Sequence, residues 1–524
     1  MLTLLDMKTL KAPSKKTAEM LNDPEFKTGL ETALKTFLPT KRWYSAKDDT
    51  IGGIRIAAVA PISDGTCFTV INVALASGAE IMFLIPLRAA FGEKANDLMK
   101  NSPDFIIAPV EAGDETGFVF DAAGESDFSA GLLSLMEKDA ALSLPSGMTL
   151  CADATAAGKE KIKAVHGLPQ KMMGVEQSNT SLIIGKQVML KMYRRVAFGS
   201  QPEIATSAFL TETAGFKNTP AYLGKAVLRF ADGKEIALAV LQDFVLNEGD
   251  GWGYTMNYLK ALFDGVLKKQ TAINHEDYLK KACLLGKRTA EMHLAFAKGT
   301  EGVFKPEPVS PADLKDWAAA AMAQADRTIA VAEAHVAPLS GEVRKQVEAL
   351  IAGREKIAAR VRELIPASVQ CVKTRFHGDY HLGQVVVANG DFILLDFEGE
   401  PLRPMEERQI SHSVLRDVAG MVRSFDYAAF GALLMYVLPE NRAALHPVAA
   451  DWCKQATTAF LHGYFDAMKG SSSVPADKDE ARALLDLFVL EKALYEVIYE
   501  VANRPDWLPI PMNGVARLIN FDGE

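Results

Sequence analysis

The stretch that decides the fold is Phe376-His377-Gly378-Asp379-Tyr380-His381-Leu382-Gly383-Gln384, which is followed by Leu394-Leu395-Asp396-Phe397-Glu398. A carboxylate stands in a loop, an amide side chain follows five residues later, and a second carboxylate follows at the end of an apolar run. Between the two stretches, Asn389-Gly390-Asp391 is typical of the tight turn of a β-hairpin. The pattern predicts a loop, a short hairpin and a polar turn in direct succession.

These residue types, in this order, indicate phosphoryl transfer from ATP. Protein kinases use a loop aspartate to accept the proton of the substrate hydroxyl, and an amide and a second aspartate to hold magnesium. We therefore predict Asp379 as the catalytic base and Gln384 and Asp396 as ligands of Mg²⁺, an ion that prefers oxygen donors. Glu398 is a further predicted ligand, because it would share a face with Asp396 if the strand continued.

Plainer interpretations exist for the single residues of this motif. Either aspartate alone would be expected to cap a turn or end a strand, so the prediction depends on the ordered set. A histidine beside such a loop, such as His377 or His381, more often orients other groups or packs in the core than binds a metal. The five cysteines lack CxxC spacing, so no structural zinc site or disulfide framework is predicted.

A site for the ATP phosphates is expected upstream, in the polar turn that includes Gln177, Ser178, Asn179 and Thr180. Hydroxyl, amide and backbone N–H groups in such turns bind phosphate oxygens. In the next predicted strand, Lys191 interrupts a buried-looking apolar run, where an unpaired charge would be costly. Pairing with ATP phosphates would remove that cost, although an edge-strand lysine facing water would also explain the pattern.

The strand Ile236 to Leu241 leads into a segment where a two-lobed kinase would contact adenine. Gln242, Phe244 and Val245 are the predicted contacts, made by their backbone groups. An ordinary core strand and its exit loop would give the same sequence, so the side chains offer little support.

The rest of the chain predicts an α+β protein with more than one structural unit. Strand-like runs dominate before Gln242, whereas apolar residues at helical spacing dominate after it. The predicted helices are 277–297, 311–336, 342–363, 413–436, 447–468 and 477–502. A chain of 524 residues exceeds what one hydrophobic core usually supports.

Composition argues against several classes of protein. The net charge of −9 disfavours a general nucleic-acid binder, which needs concentrated Lys and Arg. No uninterrupted apolar run reaches the roughly 20 residues of a membrane helix, and the first residues are followed by lysines rather than a cleavage site. We therefore expect a cytoplasmic protein with no membrane or nucleic-acid partner.

Beyond the catalytic motif, the sequence resembles the bacterial maltokinase family, within the aminoglycoside-phosphotransferase-like kinases. The segments that carry the resemblance span most of residues 170–510. They are EQSNTS (176–181), DGW (250–252), RTAEMHL (288–294), HGDYHLGQ (377–384), DFEGEPLRP (396–404), LRDVAGMVRSFDYA (415–428) and YEVIYEVANRPDWL (495–508).

The resemblance implies a two-lobed protein-kinase-like fold preceded by an N-terminal cap. The implied division is a cap over 1–108, a lobe with the nucleotide-binding sheet over 109–246, and a helical lobe with the catalytic and sugar sites over 247–524. The implied reaction is transfer of the ATP γ-phosphate to the anomeric hydroxyl of maltose, which would serve glycogen biosynthesis. The resemblance leaves open an association with a trehalose-converting enzyme, and the sequence does not decide between a monomer and a homodimer.

The chain also departs from the family pattern. Arg42-Trp43-Tyr44 stands where the family usually has Arg-Trp-Phe. Ala205 stands where a glutamate would brace the strand lysine, so that Lys-Glu pair is in doubt. Glu203 and Glu212 are the two alternatives for the brace, and the sequence does not choose between them.

A sugar acceptor would be held by carboxylates, amides and aromatic faces near these motifs. The predicted acceptor residues are His381, Glu400, Asp417, Arg423, Tyr495, Glu496 and Trp507. As alternatives, Asp417 and Arg423 would be solvated helix-surface charges, and Tyr495 and Trp507 core aromatics. A kinase for glucosamine or another amino sugar is the alternative function, because an acidic pocket suits an ammonium group; a catalytically inactive kinase-like scaffold is a second one.

Overall fold

The computed structural model describes residues 8–63, 65–174, 179–269, 274–400 and 405–519. They form two compact units. Unit 1 lies within residues 1–208 and 220–246, and unit 2 within residues 209–219 and 247–524. The predicted boundaries of a cap, a nucleotide lobe and a helical lobe remain predictions.

Among its described residues, unit 1 forms two seven-stranded sheets and six α-helices. Its strands are β1 (Leu10–Lys11), β2 (Ile51–Pro61), β3 (Thr66–Leu75), β4 (Glu80–Phe91), β5 (Ile106–Ala112), β6 (Glu115–Asp121), β7 (Ala140–Ser143), β8 (Thr149–Ala154), β9 (Gln170–Met172), β10 (Asn179–Ile184), β11 (Val188–Tyr193), β12 (Arg195–Val196), β13 (Tyr222–Arg229) and β14 (Glu235–Asp243). Its helices are α1 (Thr17–Met20), α2 (Pro24–Phe37), α3 (Gly92–Asn101), α4 (Ser126–Glu137), α5 (Ala156–Val165) and α6 (Pro202–Ala208).

The first sheet has the order β1-β5-β6-β4-β3-β2, and β12 pairs with β4. The apolar face of α2 packs in the core of this sheet through Phe26, Leu30 and Leu34. The aromatic rings of Trp43 and Tyr44 contact Phe83, with ring centroids 5.9 and 5.3 Å apart. Trp43 and Tyr44, which belong to the segment that departs from the family pattern, are therefore residues of the hydrophobic core.

The second sheet has the order β7-β8-β13-β14-β11-β10-β9. The predicted hairpin of β10 and β11 is confirmed, and its turn is tight because Gly185 and Lys186 both have positive φ. Lys191 on β11 stands opposite Val240 on β14. Lys191 is therefore in the interior of the sheet, not on an edge strand.

Unit 2 is mainly helical. Its helices are α7 (Gly251–Leu267), α8 (Glu276–Phe296), α9 (Pro311–His335), α10 (Gly341–Ala352), α11 (Arg354–Leu364), α12 (Leu415–Tyr436), α13 (Pro439–Ala467), α14 (Lys478–Asn503) and α15 (Pro509–Ile519). Its described strands are β15 (Glu307–Pro308), β16 (Val372–Lys373), β17 (Val385–Ala388) and β18 (Asp391–Leu394).

The helix predictions hold for unit 2 with two exceptions. The single helix predicted over 342–363 is two helices, because Gly353 lies between α10 and α11. The helix predicted to begin at residue 447 begins at Pro439, and Pro447 lies inside it. A proline does not end a helix when the surrounding core holds the helix in place.

The core of unit 2 gathers the apolar faces of its long helices, with the β17–β18 hairpin packed against them. α12 is long and apolar enough to span a membrane by length and composition, but 67% of its apolar window is buried in the protein. Burial of this kind is what the central helix of a folded core shows. The hairpin between β17 and β18 is as predicted, with Asn389 and Gly390 at positive φ.

Candidate active site

The predicted catalytic loop lies between β16 and β17 and begins with a close approach of two backbones. Gly378 has a φ of 90°, and a Cβ built on it would lie 3.3 Å from Cα of Gly399. Imidazole Nε2 of His377 is 2.8 Å from the carbonyl of Leu395. The loop and the segment after β18 are thus joined beside the residues that carry the predicted chemistry.

Two of the predicted metal ligands are in direct contact. The amide Nε2 of Gln384 donates to Oδ2 of Asp396 over 3.2 Å. A carboxylate oxygen of Glu398 lies within 4.8 Å of one from Asp396. The strand does not continue as expected, since β18 ends at Leu394. A turn brings the two carboxylates together instead, with Asp396 at a φ of 63°.

This donor set fits magnesium, because it offers one amide and two carboxylate groups and no thiol. Asp379 is half-buried in the same loop. His381 lies close enough to sense the charges of both Asp379 and Asp396. We call Asp379, Gln384, Asp396 and Glu398 the oxygen cluster.

His381 supports the loop itself. Its Nδ1 accepts the N–H of Gly383 over 3.0 Å and so caps the 3₁₀ turn Leu382–Gln384. Burial lowers the pKa of His381, which favours the neutral imidazole that this contact requires. Its predicted contact with the acceptor stays a prediction.

Asp417 is not a helix-surface charge. It is 2% exposed, and its two carboxylate oxygens accept the backbone N–H groups of His377 and Gly378 over 2.6 and 2.9 Å. His293 on α8 lies 3.0 Å from the same carboxylate. Asp417 therefore holds the backbone of the predicted catalytic loop.

Further buried polar contacts hold the same loop. The hydroxyl of Ser424 accepts the N–H of Leu382 over 3.0 Å, and the hydroxyls of Thr289 and Tyr380 are 2.8 Å apart. The hydroxyl of Tyr464 is 2.9 Å from Nδ1 of His293. We call these supports the anchoring network: Thr289, His293, Asp417, Ser424 and Tyr464.

Arg423 is fully buried and contacts carboxylates rather than solvent. It donates to Glu496 over 2.8 Å and to Asp426 over 2.6 Å. Burial raises the pKa of Glu496, and the nearby guanidinium of Arg423 opposes that shift. Arg423 and Glu496, both predicted as acceptor residues, thus form a buried ion pair between α12 and α14, and Arg423 is not the surface charge that the alternative described.

Lys492, on α14, was not among the site residues predicted from the sequence. Its Nζ is 2.8 Å from Oε1 of Glu400 and 5.1 Å from the ring centroid of Tyr495. Burial by itself lowers the pKa of Lys492, but the carboxylates of Glu400 and Asp379 outweigh it and hold the pKa above its usual value. Two predicted acceptor residues therefore lie with a lysine whose pKa is raised in part by Asp379, the predicted base. Lys492 directly follows Glu491, so nothing in the local sequence distinguishes it from a solvent-facing helix lysine.

Trp507 belongs to a different cluster. Its ring stacks on Tyr427, with centroids 6.3 Å apart, and the guanidinium of Arg504 lies 4.6 Å from its centroid. Its edge also fits against Gly431, where a Cβ would come within 2.8 Å. Trp507 is only partly buried, so it lies at the margin of the helical core, and its predicted contact with a sugar stays a prediction.

In unit 1, the predicted phosphate lysine has a glutamate partner. Nζ of Lys191 is 2.9 Å from Oε2 of Glu203, and the hydroxyl of Tyr193 donates to the same oxygen over 3.0 Å. Both Lys191 and Glu203 are buried. Of the two alternatives that the sequence left open, Glu203 is the brace of Lys191.

Only half of the predicted phosphate turn can be placed. Gln177 and Ser178 lie outside the described residues, whereas Asn179 and Thr180 begin β10 and are buried. The hydroxyl of Thr180 accepts from Nε of Arg194 over 2.8 Å, and Arg194 is paired with Asp121 at 2.8 Å. Thr180 is thus fixed by a buried arginine that the sequence analysis did not single out.

The predicted adenine-binding segment ends β14. The side chain of Gln242 is buried and donates to Ser207 over 3.0 Å. The N–H of Phe244 donates to the carbonyl of Gln187 over 2.8 Å, so this donor is already used within the fold. Contacts of Gln242, Phe244 and Val245 with adenine remain predictions.

Comparison with known proteins shows which fold this is. No protein-family profile matches the chain. Solved structures of a glucosamine kinase superpose with TM-scores of 0.63 and 0.64 over 93% of this chain, at 20% sequence identity. The chain has the glucosamine kinase fold. The predicted α+β kinase-like architecture is thereby confirmed.

Two glucosamine kinases are also similar in sequence. The protein of Mycolicibacterium smegmatis is 27% identical over 358 residues, which cover 67% of this chain and 80% of the relative. That of Streptacidiphilus jiangxiensis is 27% identical over 340 residues, which cover 64% and 70%. One solved glucosamine kinase of this fold is in complex with glucosamine, ADP and inorganic phosphate.

Proposed function

We infer that this chain is an ATP- and magnesium-dependent sugar kinase, and that its acceptor is an amino sugar, with glucosamine as the first compound to test. The observation that carries the proposal is the oxygen cluster, in which a loop aspartate is followed by an amide and a carboxylate 3.2 Å apart. Those groups suit a hydroxyl acceptor and a magnesium nucleotide.

The coarse part of the proposal is well supported. Relatives named glucosamine kinase are similar to this chain over about two thirds of its length, and a structure of the same fold holds ADP. The predictions of a phosphotransferase and of ATP with magnesium are therefore confirmed at the level of class. The inactive scaffold has no supporting observation.

Each group of the site has a proposed role. Asp379 orients the acceptor hydroxyl and takes its proton as the oxygen attacks phosphorus. Gln384 and Asp396, with Glu398 beside them, would hold magnesium, which neutralises charge on the transferred phosphoryl group. Lys191, kept in place by Glu203, would neutralise the ATP phosphates.

The choice of acceptor rests on the comparisons. The resemblance of the sequence implied maltose, whereas the similar proteins are glucosamine kinases and favour the amino-sugar alternative. The carboxylates of Glu400 and Glu496 offer the negative charge that an ammonium group needs, although each already has a cationic partner. A role in glycogen synthesis and an association with a trehalose-converting enzyme have no supporting observation here.

A panel of acceptors tests the proposal. ADP formation with magnesium and ATP is measured with glucosamine, glucose, N-acetylglucosamine and maltose as acceptors. We expect kcat/KM for glucosamine to exceed that for glucose and N-acetylglucosamine by at least about tenfold, the value of one well-placed polar contact. Turnover with maltose alone would reject the amino-sugar proposal and restore the first prediction. No turnover with any sugar would reject both.

Cytoplasmic location and oligomeric state stay predictions. The burial of α12 agrees with a folded core helix rather than a membrane span.

A further inference from the structure

Beneath the catalytic loop, a chain of buried polar groups connects three helices. It runs from the hydroxyl of Tyr464 on α13 to Nδ1 of His293 on α8, over 2.9 Å. It continues from Nε2 of His293 to Oδ2 of Asp417 on α12, over 3.0 Å. All three residues are at most 2% exposed. None of them belongs to the oxygen cluster.

We propose that His293 and Tyr464 are positioning residues for phosphoryl transfer: they fix the orientation of the Asp417 carboxylate, which in turn fixes the backbone that carries Asp379. The inference rests on the proposed kinase function. It goes beyond that function because it assigns a role to two side chains that lie outside the oxygen cluster.

The hydrogen-bond chemistry allows one arrangement when the imidazole is neutral. The Asp417 carboxylate only accepts, so Nε2 of His293 must carry the proton that it donates. Nδ1 must then accept, and the Tyr464 hydroxyl is the donor that faces it. The tyrosine thereby selects the tautomer that keeps His293 bonded to Asp417.

Asp417 needs this third donor. Its oxygens also accept the backbone N–H groups of His377 and Gly378. A buried carboxylate is tolerated only when its oxygens are well satisfied. The carboxylate stays ionised because, although burial raises the pKa of Asp417, the His293 contact and the backbone N–H groups outweigh it. Without His293, the carboxylate would be expected to turn or protonate and to loosen its hold on the loop.

The helix packing favours the same contact. A Cβ on Gly286 of α8 would lie 2.0 Å from the carbonyl of Phe460, and one on Gly463 of α13 would lie 2.0 Å from the carbonyl of Cys283. The two helices approach this closely only because both positions are glycine. Gly463 directly precedes Tyr464, so the close approach brings the tyrosine hydroxyl to His293.

The test combines kinetics with amide hydrogen exchange. Tyr464→Phe should lower kcat about fivefold, the effect of one neutral hydrogen bond, and leave KM for ATP unchanged. His293→Leu should lower kcat by about 100-fold, as expected for a small displacement of a catalytic group. His293→Gln places an amide N–H near the position of Nε2, so it should recover much of the activity lost in His293→Leu.

Exchange of the peptide that covers residues 376–384 gives a readout independent of turnover. We expect faster exchange there in Tyr464→Phe and His293→Leu than in the wild type, and near-wild-type exchange in His293→Gln. Tyr278→Phe is the matched control, because Tyr278 is also a buried tyrosine of this unit whose hydroxyl bonds a side chain, Thr255, at 2.9 Å. It should leave exchange of the loop unchanged.

The outcomes separate this inference from the proposed function. Unchanged loop exchange in folded Tyr464→Phe and His293→Leu, with wild-type kcat in both, would overturn the inference even if the protein is a kinase. If the wild type phosphorylates no sugar, the proposed function fails. Loop exchange in the variants then still decides whether His293 and Tyr464 hold the loop, and unchanged exchange overturns that as well. If His293→Leu does not fold, Tyr464→Phe carries the decision, since it should speed loop exchange and lower kcat whereas the control Tyr278→Phe should leave loop exchange unchanged.

Discussion

The anchoring network and the oxygen cluster contact the same nine-residue loop, yet they differ in burial. The residues of the anchoring network are almost entirely buried. The carboxylate oxygens of Asp417 accept hydrogen bonds from two backbone N–H groups and contact one histidine. In the oxygen cluster, Asp379, Gln384 and Asp396 are partly exposed, and only Glu398 is buried. The difference teaches that a carboxylate in a catalytic motif can serve the backbone or the substrate, and that burial with backbone partners separates the two roles.

The largest effect is expected at Asp379, the member of the oxygen cluster proposed as base. Asp379→Asn should lower kcat by roughly 1,000-fold, because the acceptor hydroxyl loses its proton acceptor, while ATP binding persists. Initial rates and calorimetric titration with ATP measure the two quantities. Asp264→Asn is the control, since Asp264 is an exposed carboxylate paired with Lys260. Wild-type turnover in Asp379→Asn would mean that this carboxylate is not the base.

The second largest effect is expected at the predicted metal site. Asp396→Asn should lower kcat roughly 100-fold and raise the magnesium concentration needed for half-maximal rate, because a charged ligand becomes neutral. The measurement is a magnesium titration at saturating ATP. A titration curve identical to that of the wild type would place the ion elsewhere.

A smaller effect is expected in unit 1, where the ion pair of Lys191 and Glu203 is buried. Glu203→Gln keeps the shape but removes the charge that holds the lysine, so kcat/KM for ATP should fall about tenfold. Glu212→Gln is the matched control, because Glu212 was the other candidate brace. Equal losses in the two variants would contradict the assignment of Glu203.

The smallest effect concerns the stability of the hairpin that carries the oxygen cluster. Burial raises the pKa of Asp391, but the two hydrogen bonds from Arg288, of 2.9 and 2.7 Å, outweigh it and hold the pKa below its usual value. Because the pKa of Asp391 is lower in the folded than in the unfolded state, the ionised carboxylate stabilises the fold at pH values above the unfolded-state pKa, near 4. This stabilisation is lost as the pH falls through the folded-state pKa.

The expected stabilisation is at most about 1 kcal/mol, since the pair is partly exposed and solvent screens it. Urea unfolding of the wild type and Asp391→Asn at pH 7 and pH 3 measures it. The free energy of unfolding of the wild type should exceed that of Asp391→Asn at pH 7, and this difference should be smaller at pH 3. A difference that is larger at pH 3 would show that the ion pair does not cause it.

The motif that brings Gln384, Asp396 and Glu398 together could be recognised because its residues are close in sequence, while their chemical roles stay predictions. Asp379, Gln384 and Asp396 lie within 18 positions, and the Asn389-Gly390 turn between them has a strong conformational preference. Glu398 was predicted for the wrong reason, since a turn at positive φ rather than a continuing strand brings it to Asp396. The fold class was also readable, because the change from strand to helix periodicity near residue 242 is clear.

The supports of the site could not be predicted because they are distant in sequence. His293, Asp417 and Tyr464 lie on three different helices, and nothing local distinguishes a helix position that faces a loop from one that faces solvent. Lys492 was missed for the same reason, since Glu400, its partner, is 92 residues away. Tertiary packing also decided that Pro447 lies inside a helix.

The most direct test of the central claim is the identity of the phosphorylated product. The protein is incubated with glucosamine, ATP and magnesium, and mass spectrometry quantifies sugar monophosphate against ADP. The account predicts a glucosamine monophosphate formed one-for-one with ADP, which disappears when magnesium is chelated and in Asp379→Asn. ADP formation without any phosphorylated sugar, or an equal yield without magnesium, would contradict it.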